Sequence, residues 1–263
     1  MRLLISLLNH IPTPLASRFR RDSPLGRALR AILSRTGTGN VIAVVRSGHG
    51  RGMRLPLDPT QEKYYWAGQH DVPVQDVLMR VVRPGAVVWD IGAHIGFFTI
   101  LASQRAGSSG HVHAFEPMPR NRERLEKTIQ LNHAANVSVH GVAVSGTDGT
   151  ALLHAHATTA MWTLVAERGE SDGVSVVCKT IDTLASDLGD PAVIKVDVEG
   201  AELDVLRGGL ATIARSTPTL VVEFAVPELV GQARDLLPAY RFEQISDLDW
   251  LLLPPEERDA EGL

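Results

Sequence analysis

Val87 to Leu101 reads VVWDIGAHIGFFTIL: an apolar run, an acid and two glycines around a histidine, then a second apolar run. A hydrophobic segment that stops at Gly92 and resumes after Gly96 has the pattern of a buried strand turning into a helix. In an α/β sheet such a junction lies at the carboxyl end of a strand, where ligands bind. The glycines do not complete a dinucleotide fingerprint. A G-x-G-x-x-G pattern starting at Gly92 needs glycine or alanine at 94 and 97, and the chain has His94 and Phe97. Asp90, at the mouth of the strand, would also face a pyrophosphate with like charge.

Outward from this junction, strands and helices alternate. Strand 86–91 leads to helix 96–105, strand 111–116 to helix 119–133, and strand 137–144 follows. Three added strands, in ALLHAHA, MWTLVA and VSVVCKTI, interrupt the pattern. It resumes with strand 192–197, helix 201–209, strand 218–224, helix 227–237 and strands near 241–246 and 249–253. Seven main strands alternating with helices predict a largely parallel sheet covered on both faces. The last two are joined by only a few residues and are expected to pair antiparallel. Upstream, VIAVVRSGHGRGMRLPL reads as two strands around a Gly-rich turn, and VQDVLMRVVRPG as a helix stopped by Pro84-Gly85.

The ligand expected at the first junction is one with positive charge and no phosphate. S-adenosylmethionine offers an α-ammonium group, a sulfonium and a ribose diol. Gly92 and Gly96 would let the backbone approach its methionine part and the helix pack tightly, with Asp90 favouring the ammonium end and His94 inside the loop. Glu116 ends the next strand, in HVHAFEP, twenty residues past Gly96. A carboxylate there can accept hydrogen bonds from both ribose hydroxyls, with Pro117 beside it. NAD sites use an acid in the same way, so Glu116 supports a nucleoside without choosing which one.

VVWDIGAHIGFFTI, HAFEPMPRNRERLEK, VAVSGTDG, and above all TIDTLASDL followed by VIKVDVEGAELDVLRGG, resemble the FkbM-type methyltransferases over about residues 60–225. The resemblance implies S-adenosylmethionine as cofactor and the class I methyltransferase fold: a Rossmann-like, seven-stranded, mostly parallel sheet with an antiparallel last strand and helices on both faces. It implies methylation of a hydroxyl oxygen, on a sugar, glycolipid or polyketide-type natural product. Such a transfer needs acceptor oxygen, methyl and sulfur in line and a group near the hydroxyl proton. Asp197, at the tip of the fourth strand beside Lys195, and Glu199 two residues on are the candidates for that work. Glu202 is read as a complement to a helix N-terminus near Ala201. An NAD-dependent oxidoreductase and a non-catalytic nucleoside-binding module on the same sheet are the competing readings. His94, Phe97 and Asp90 oppose the first, and the strand-end residues taken together oppose the second.

Composition and charge bound the rest. The 263 residues, 44% of them hydrophobic, suffice for a full core. Cys178 is the sole cysteine, so no internal disulfide forms, and a cytoplasmic setting is expected. Residues 1–54 hold ten Lys and Arg against Asp22 alone, leaving 16 against 29 acids in the remainder. No nucleic-acid partner is expected. Residues 1–40 read as a separate segment with two short amphipathic helices, from Leu3 to Ile11 and from Leu25 to Leu33, able to pack on the main domain (41–263) or touch a membrane surface through residues 1–35. No run reaches the roughly 20 apolar residues of a membrane span. His111 with His113, and His154 with His156, share sheet faces without a third metal ligand in evidence. Tyr64, Tyr65 and Trp66 either close over the cofactor or join the core. Thr158, Thr159 and Trp162, in the added strands, are candidates for the acceptor site.

Overall fold

The computed structural model describes residues 41–58, 62–155, 162–165 and 173–255. The expected N-terminal helices and their membrane contact, and also His156, Thr158 and Thr159, lie outside them. The chain enters through a two-stranded antiparallel hairpin, β1 (Val41–Val44) and β2 (Arg54–Leu57). A short helix α1 (Lys63–Ala67) and a longer one α2 (Val72–Val81) follow. Then come β3 (Val87–Ile91), α3 (Phe97–Ala106), β4 (His111–Phe115), α4 (Pro119–Asn132) and β5 (Val137–His140).

The expected single strand over 137–144 breaks at Gly141. Its second part, β6 (Ala143–Val144), leaves the main sheet for a smaller one with β7 (Gly149–Ala155), β8 (Trp162–Val165) and β9 (Val174–Lys179), in the order β6-β9-β7-β8. This excursion departs and returns at one place. Ala143 pairs with Cys178, the Ser145 amide donates to the Lys179 carbonyl at 2.9 Å, and Asp148 accepts from the Thr180 amide at 2.7 Å and the Thr183 hydroxyl at 2.9 Å. Thr180 in turn caps α5 (Ile181–Leu188) through its side-chain oxygen.

The rest of the chain supplies β10 (Val193–Val196), α6 (Glu202–Arg207), α7 (Leu210–Ser216), β11 (Thr219–Glu223), α8 (Glu228–Leu236), β12 (Arg241–Gln244) and β13 (Asp249–Leu253). The main sheet has seven strands in the order β12-β13-β11-β10-β3-β4-β5. Only β13 runs antiparallel, between β11 and β12, so the expected fold class holds. Successive strand residues face opposite layers. Val88, Val112, Val193 and Val221 enter a core with α2 and α3, whereas Trp89, Phe115, Ile194 and Leu220 enter one with α5 to α8. Burial on both faces is why the central strands read as unbroken apolar runs. Their carboxyl ends meet on one edge of the sheet. No helix among the described residues is long and apolar enough to cross a membrane.

Candidate active site

A cavity of about 320 Å³ opens over that edge. One end of it is built by the loop between β3 and α3. Gly92 and Ala93 both donate backbone N–H groups to the Phe115 carbonyl at 3.0 Å, which ties the loop to the tip of β4. Gly92 has φ +81°, and a Cβ there would sit 1.8 Å from the Asp197 carbonyl oxygen, so the glycine admits the neighbouring strand rather than a ligand alone. Gly96 (φ +88°) caps α3 away from the cavity, and a Cβ on it would meet Leu125 of α4 at 2.6 Å. His94 also takes a left-handed conformation, φ 49°, which aims its amide at Glu116 Oε2, 2.9 Å away.

Glu116 thus accepts from His94 N–H, from the Met118 amide at 2.9 Å and from Asn121 Nδ2 at 3.4 Å. Burial nevertheless pushes its carboxyl up to about 7, against the pull of those amides. With two lone-pair sites per oxygen, one site stays free on Oε2, and the long Asn121 contact on Oε1 can yield to a donor from the cavity side. Pro117 lines the wall beside it, and Val142, Ala143, Val144 and Leu153 supply an apolar edge.

Asp90 does not line the cavity. It is 2% exposed, takes the Thr99 hydroxyl at 2.5 Å on one oxygen and faces Lys195 at 3.8 Å on the other. The latter distance is an ion pair too long for a hydrogen bond. Burial raises its carboxyl, and Lys195 opposes the rise. The Lys195 ammonium, itself buried over the Phe98 ring, reaches Asp197 at 3.0 Å. Burial opposes ionisation of Asp197, but the Lys195 charge and hydrogen bond outweigh it and hold the carboxyl below its ordinary range. Asp90 therefore stands one layer behind the site, and Asp197 forms the wall.

The far end of the cavity gathers groups from distant parts of the chain. Glu199 (φ 57°) lies on the turn after Asp197, with burial and then Asp197 raising its carboxyl. Glu202 instead bonds the Gly200 amide at 2.6 Å at the start of α6, as expected for a helix-end acid. Tyr64 and Tyr65 line the opposite wall, and Tyr65 and Trp66 pack in the core. Tyr65 stacks against His70 at 4.0 Å and lies 3.4 Å from His94 Nδ1. Burial lowers His70 to about 3, and its Nδ1 lies 3.1 Å from Asp71 Oδ2. Sequence reasoning missed His70, Asp71 and Asn121, which reach the site only through tertiary packing. It also missed Glu223, which carries the same signal, an acid ending a strand, that singled out Glu116 and Asp197.

Outside the cavity, His111, His113 and His140 bond to one another or to Ser138. His113 Nδ1 lies 3.0 Å from His140 Nε2, and His111 Nε2 lies 2.9 Å from Ser138 Oγ.

A seven-stranded sheet of this order, with a cavity over the carboxyl tips of β3, β4, β10 and β11, defines the class I methyltransferase architecture. The family model for the methyltransferase FkbM domain matches residues 90–243, more than half of the chain, and the chain belongs to that family. It is similar to the hexuronic acid methyltransferase AglP of Haloferax volcanii, 30% identical over 156 residues that cover 57% of this chain and 61% of that one. It is also similar to the AMB antimetabolite synthetase AmbE of Pseudomonas aeruginosa, 27% identical over 244 residues, 77% of this chain but 11% of that much longer protein. Among solved structures, a methyltransferase FkbM from Methylobacillus flagellatus matches at 18% identity with a TM-score of 0.47, covering 72% of this chain and 52% of that one.

Proposed function

We propose that this chain is an S-adenosylmethionine-dependent methyltransferase acting on a hydroxyl oxygen of a polyhydroxylated acceptor with some apolar surface, such as a sugar of a glycolipid or a polyketide-type product. Glu116 carries the reading. Three donors hold its carboxylate in place, yet burial still raises its pKa, which is the state of an acceptor short of partners. A ribose diol brings two donors, one for the free site on Oε2 and one to replace the long 3.4 Å Asn121 contact on Oε1. The apolar edge at Val142 and Leu153 suits an adenine ring.

When bound, S-adenosylmethionine supplies a methyl group on a cationic sulfur. The chain supplies the rest. Asp197, kept ionised by Lys195, accepts a hydrogen bond from the acceptor hydroxyl and fixes its direction. Glu199 borders the same space, and Tyr64 and Tyr65 shut water out. Among the described lining residues none is Lys or Arg, while Asp71, Asp197, Glu199 and Glu223 are all acids. AglP is named for a hexuronic acid. That relative supports a sugar acceptor, and the acidic wall favours one whose reacting face bears no carboxylate. A panel of sugar, glycolipid and macrolide alcohols with methyl-labelled S-adenosylmethionine tests the proposal. Label on an acceptor oxygen is expected. Label on nitrogen alone, or binding of NAD in place of S-adenosylmethionine, would overturn it.

A further inference from the structure

Three neighbouring strand tips stand in register. Val196 pairs with Ile91 on one side and with Val222 on the other, so the next residues, Gly92, Asp197 and Glu223, form a row along the cavity. With strands about 4.8 Å apart, Glu223 lies beyond Asp197 on the side away from the cofactor loop. Across β11 and β13 it faces Asp249 directly. Like charges opposite one another destabilise a sheet, so this row costs the fold stability, and such clusters in clefts mark functional groups. Two of the three acids are committed elsewhere. Asp197 takes the Lys195 ammonium, and Asp249 takes the Ser246 hydroxyl at 2.6 Å. Among the described residues Glu223 makes no side-chain hydrogen bond or salt bridge, and it lines the cavity.

We propose, resting on the methyl-transfer reading above, that Glu223 is the catalytic residue that takes the proton of the acceptor hydroxyl. The acceptor oxygen bonds to the methyl carbon as the carbon–sulfur bond breaks, the bonding pair stays on sulfur, and the hydroxyl proton passes to the Glu223 carboxylate and on to solvent. Asp197 orients that hydroxyl, but its depressed pKa makes it the weaker base. The charged groups facing Glu223 are Asp197, Lys195 and Glu199 from β10 and its loop and Asp249 from β13, with Asp71 of the α2 N-terminus on the same cavity. Burial, then Asp197 and Asp249, push its carboxyl up to about 8, against Lys195. A base tuned near the working pH is the most effective one.

The test compares the full chain with Glu223→Gln and Glu223→Asp. With an alcohol acceptor from the panel, Gln should lower kcat by about 100- to 10,000-fold and leave S-adenosylmethionine affinity unchanged, with Asp partly restoring the rate. The parent's kcat should rise with pH to a plateau above about 8, and the Gln chain should lose that limb. A second readout needs no acceptor. Folding raises this carboxyl from its ordinary 4.5 to about 8, so stability it gives below the lower value is lost as pH climbs to the upper one. Glu223→Gln should therefore raise Tm at pH 8.5, by an amount that shrinks toward pH 5. Parental kcat and pH profile in the Gln chain, or a Tm difference independent of pH, would overturn the assignment. A parent that methylates no alcohol would overturn the reaction class, a result distinct from either.

Discussion

Glu116 concentrates the consequences at the scale of one residue. Removing its carboxylate deprives a buried diol of charge-assisted hydrogen bonds worth about 1.5–3 kcal/mol. Glu116→Ala should therefore weaken S-adenosylmethionine binding by roughly 10- to 150-fold in calorimetry, and a folded variant of parental affinity would remove Glu116 from the ribose. The same group predicts a pH dependence. The ionised carboxylate offers both oxygens to the diol, whereas the protonated group gives one over to its own O–H; burial pushes this carboxyl up to about 7, so affinity should fall as pH drops through that value. At pH 6 it should be weaker than at pH 8 by up to roughly tenfold, the limit reached when the ionised form binds much the tighter. Asp197→Asn tests the other end of the site: cofactor affinity should persist while turnover of an alcohol drops by about 100-fold or more. Full turnover would leave Asp197 without an acceptor role. Glu116 and Asp197 were legible because each acid ends a strand beside a motif. Lys195 as the partner of Asp90 was not, since cross-strand register has no local signal.

At the scale of elements, one arginine ties the start of α1 to α4 and β2. Arg124 of α4 bonds the Pro56 carbonyl at 3.1 and 2.8 Å and forks onto the Glu62 carboxylate, which precedes α1. Both partners of the pair are mostly buried. Arg124→Ala leaves Glu62 with the Asp58 amide, so we expect a loss of about 3 kcal/mol, the low end for a broken buried pair, read as a shifted urea midpoint. Arg124→Lys should rescue little, because a compact ammonium lacks the planar fork that meets both Glu62 oxygens while reaching the Pro56 carbonyl. A loss under about 1 kcal/mol would mean the pair behaves as a surface one. Helix α1 escaped the sequence reading because KYYWA is too short to show a period. Helix α5 escaped for a related reason: Ile181 extends the apolar run of VSVVCKTI, and only the Thr180 cap marks the change of structure. Similarly, Gly208 and Gly209 separate α6 from α7, where the sequence reads a single helix over 201–209.

At the scale of the whole molecule, the central strands of the main sheet were readable because burial on two faces leaves an unbroken apolar run in the sequence. The split of 137–144 was not, because Val142 to Val144 are as apolar as the strand they leave and only Gly141 marks the departure. That departure has a further consequence. The four-stranded sheet is joined to the rest through a neck, where Asp148 and Ser145 clasp Lys179, Thr180 and Thr183. Its inner side meets the cavity at Ala143, Val144 and Leu153, but Glu116 and the β3–α3 loop belong wholly to the larger sheet. Exchanging residues 149–177 for the matching segment of a relative, with Leu153 kept for the adenine edge, should change which acceptors are methylated and leave S-adenosylmethionine affinity within a few-fold, measured by the panel and by calorimetry. A chimaera that no longer binds the cofactor would show the neck to be a mechanical coupling rather than a seam. If it is a seam, segments of any length can be inserted there without moving a strand of the catalytic frame. Substrate range and chemistry would then be inherited as separate parts, one a replaceable cassette and the other a constant chassis.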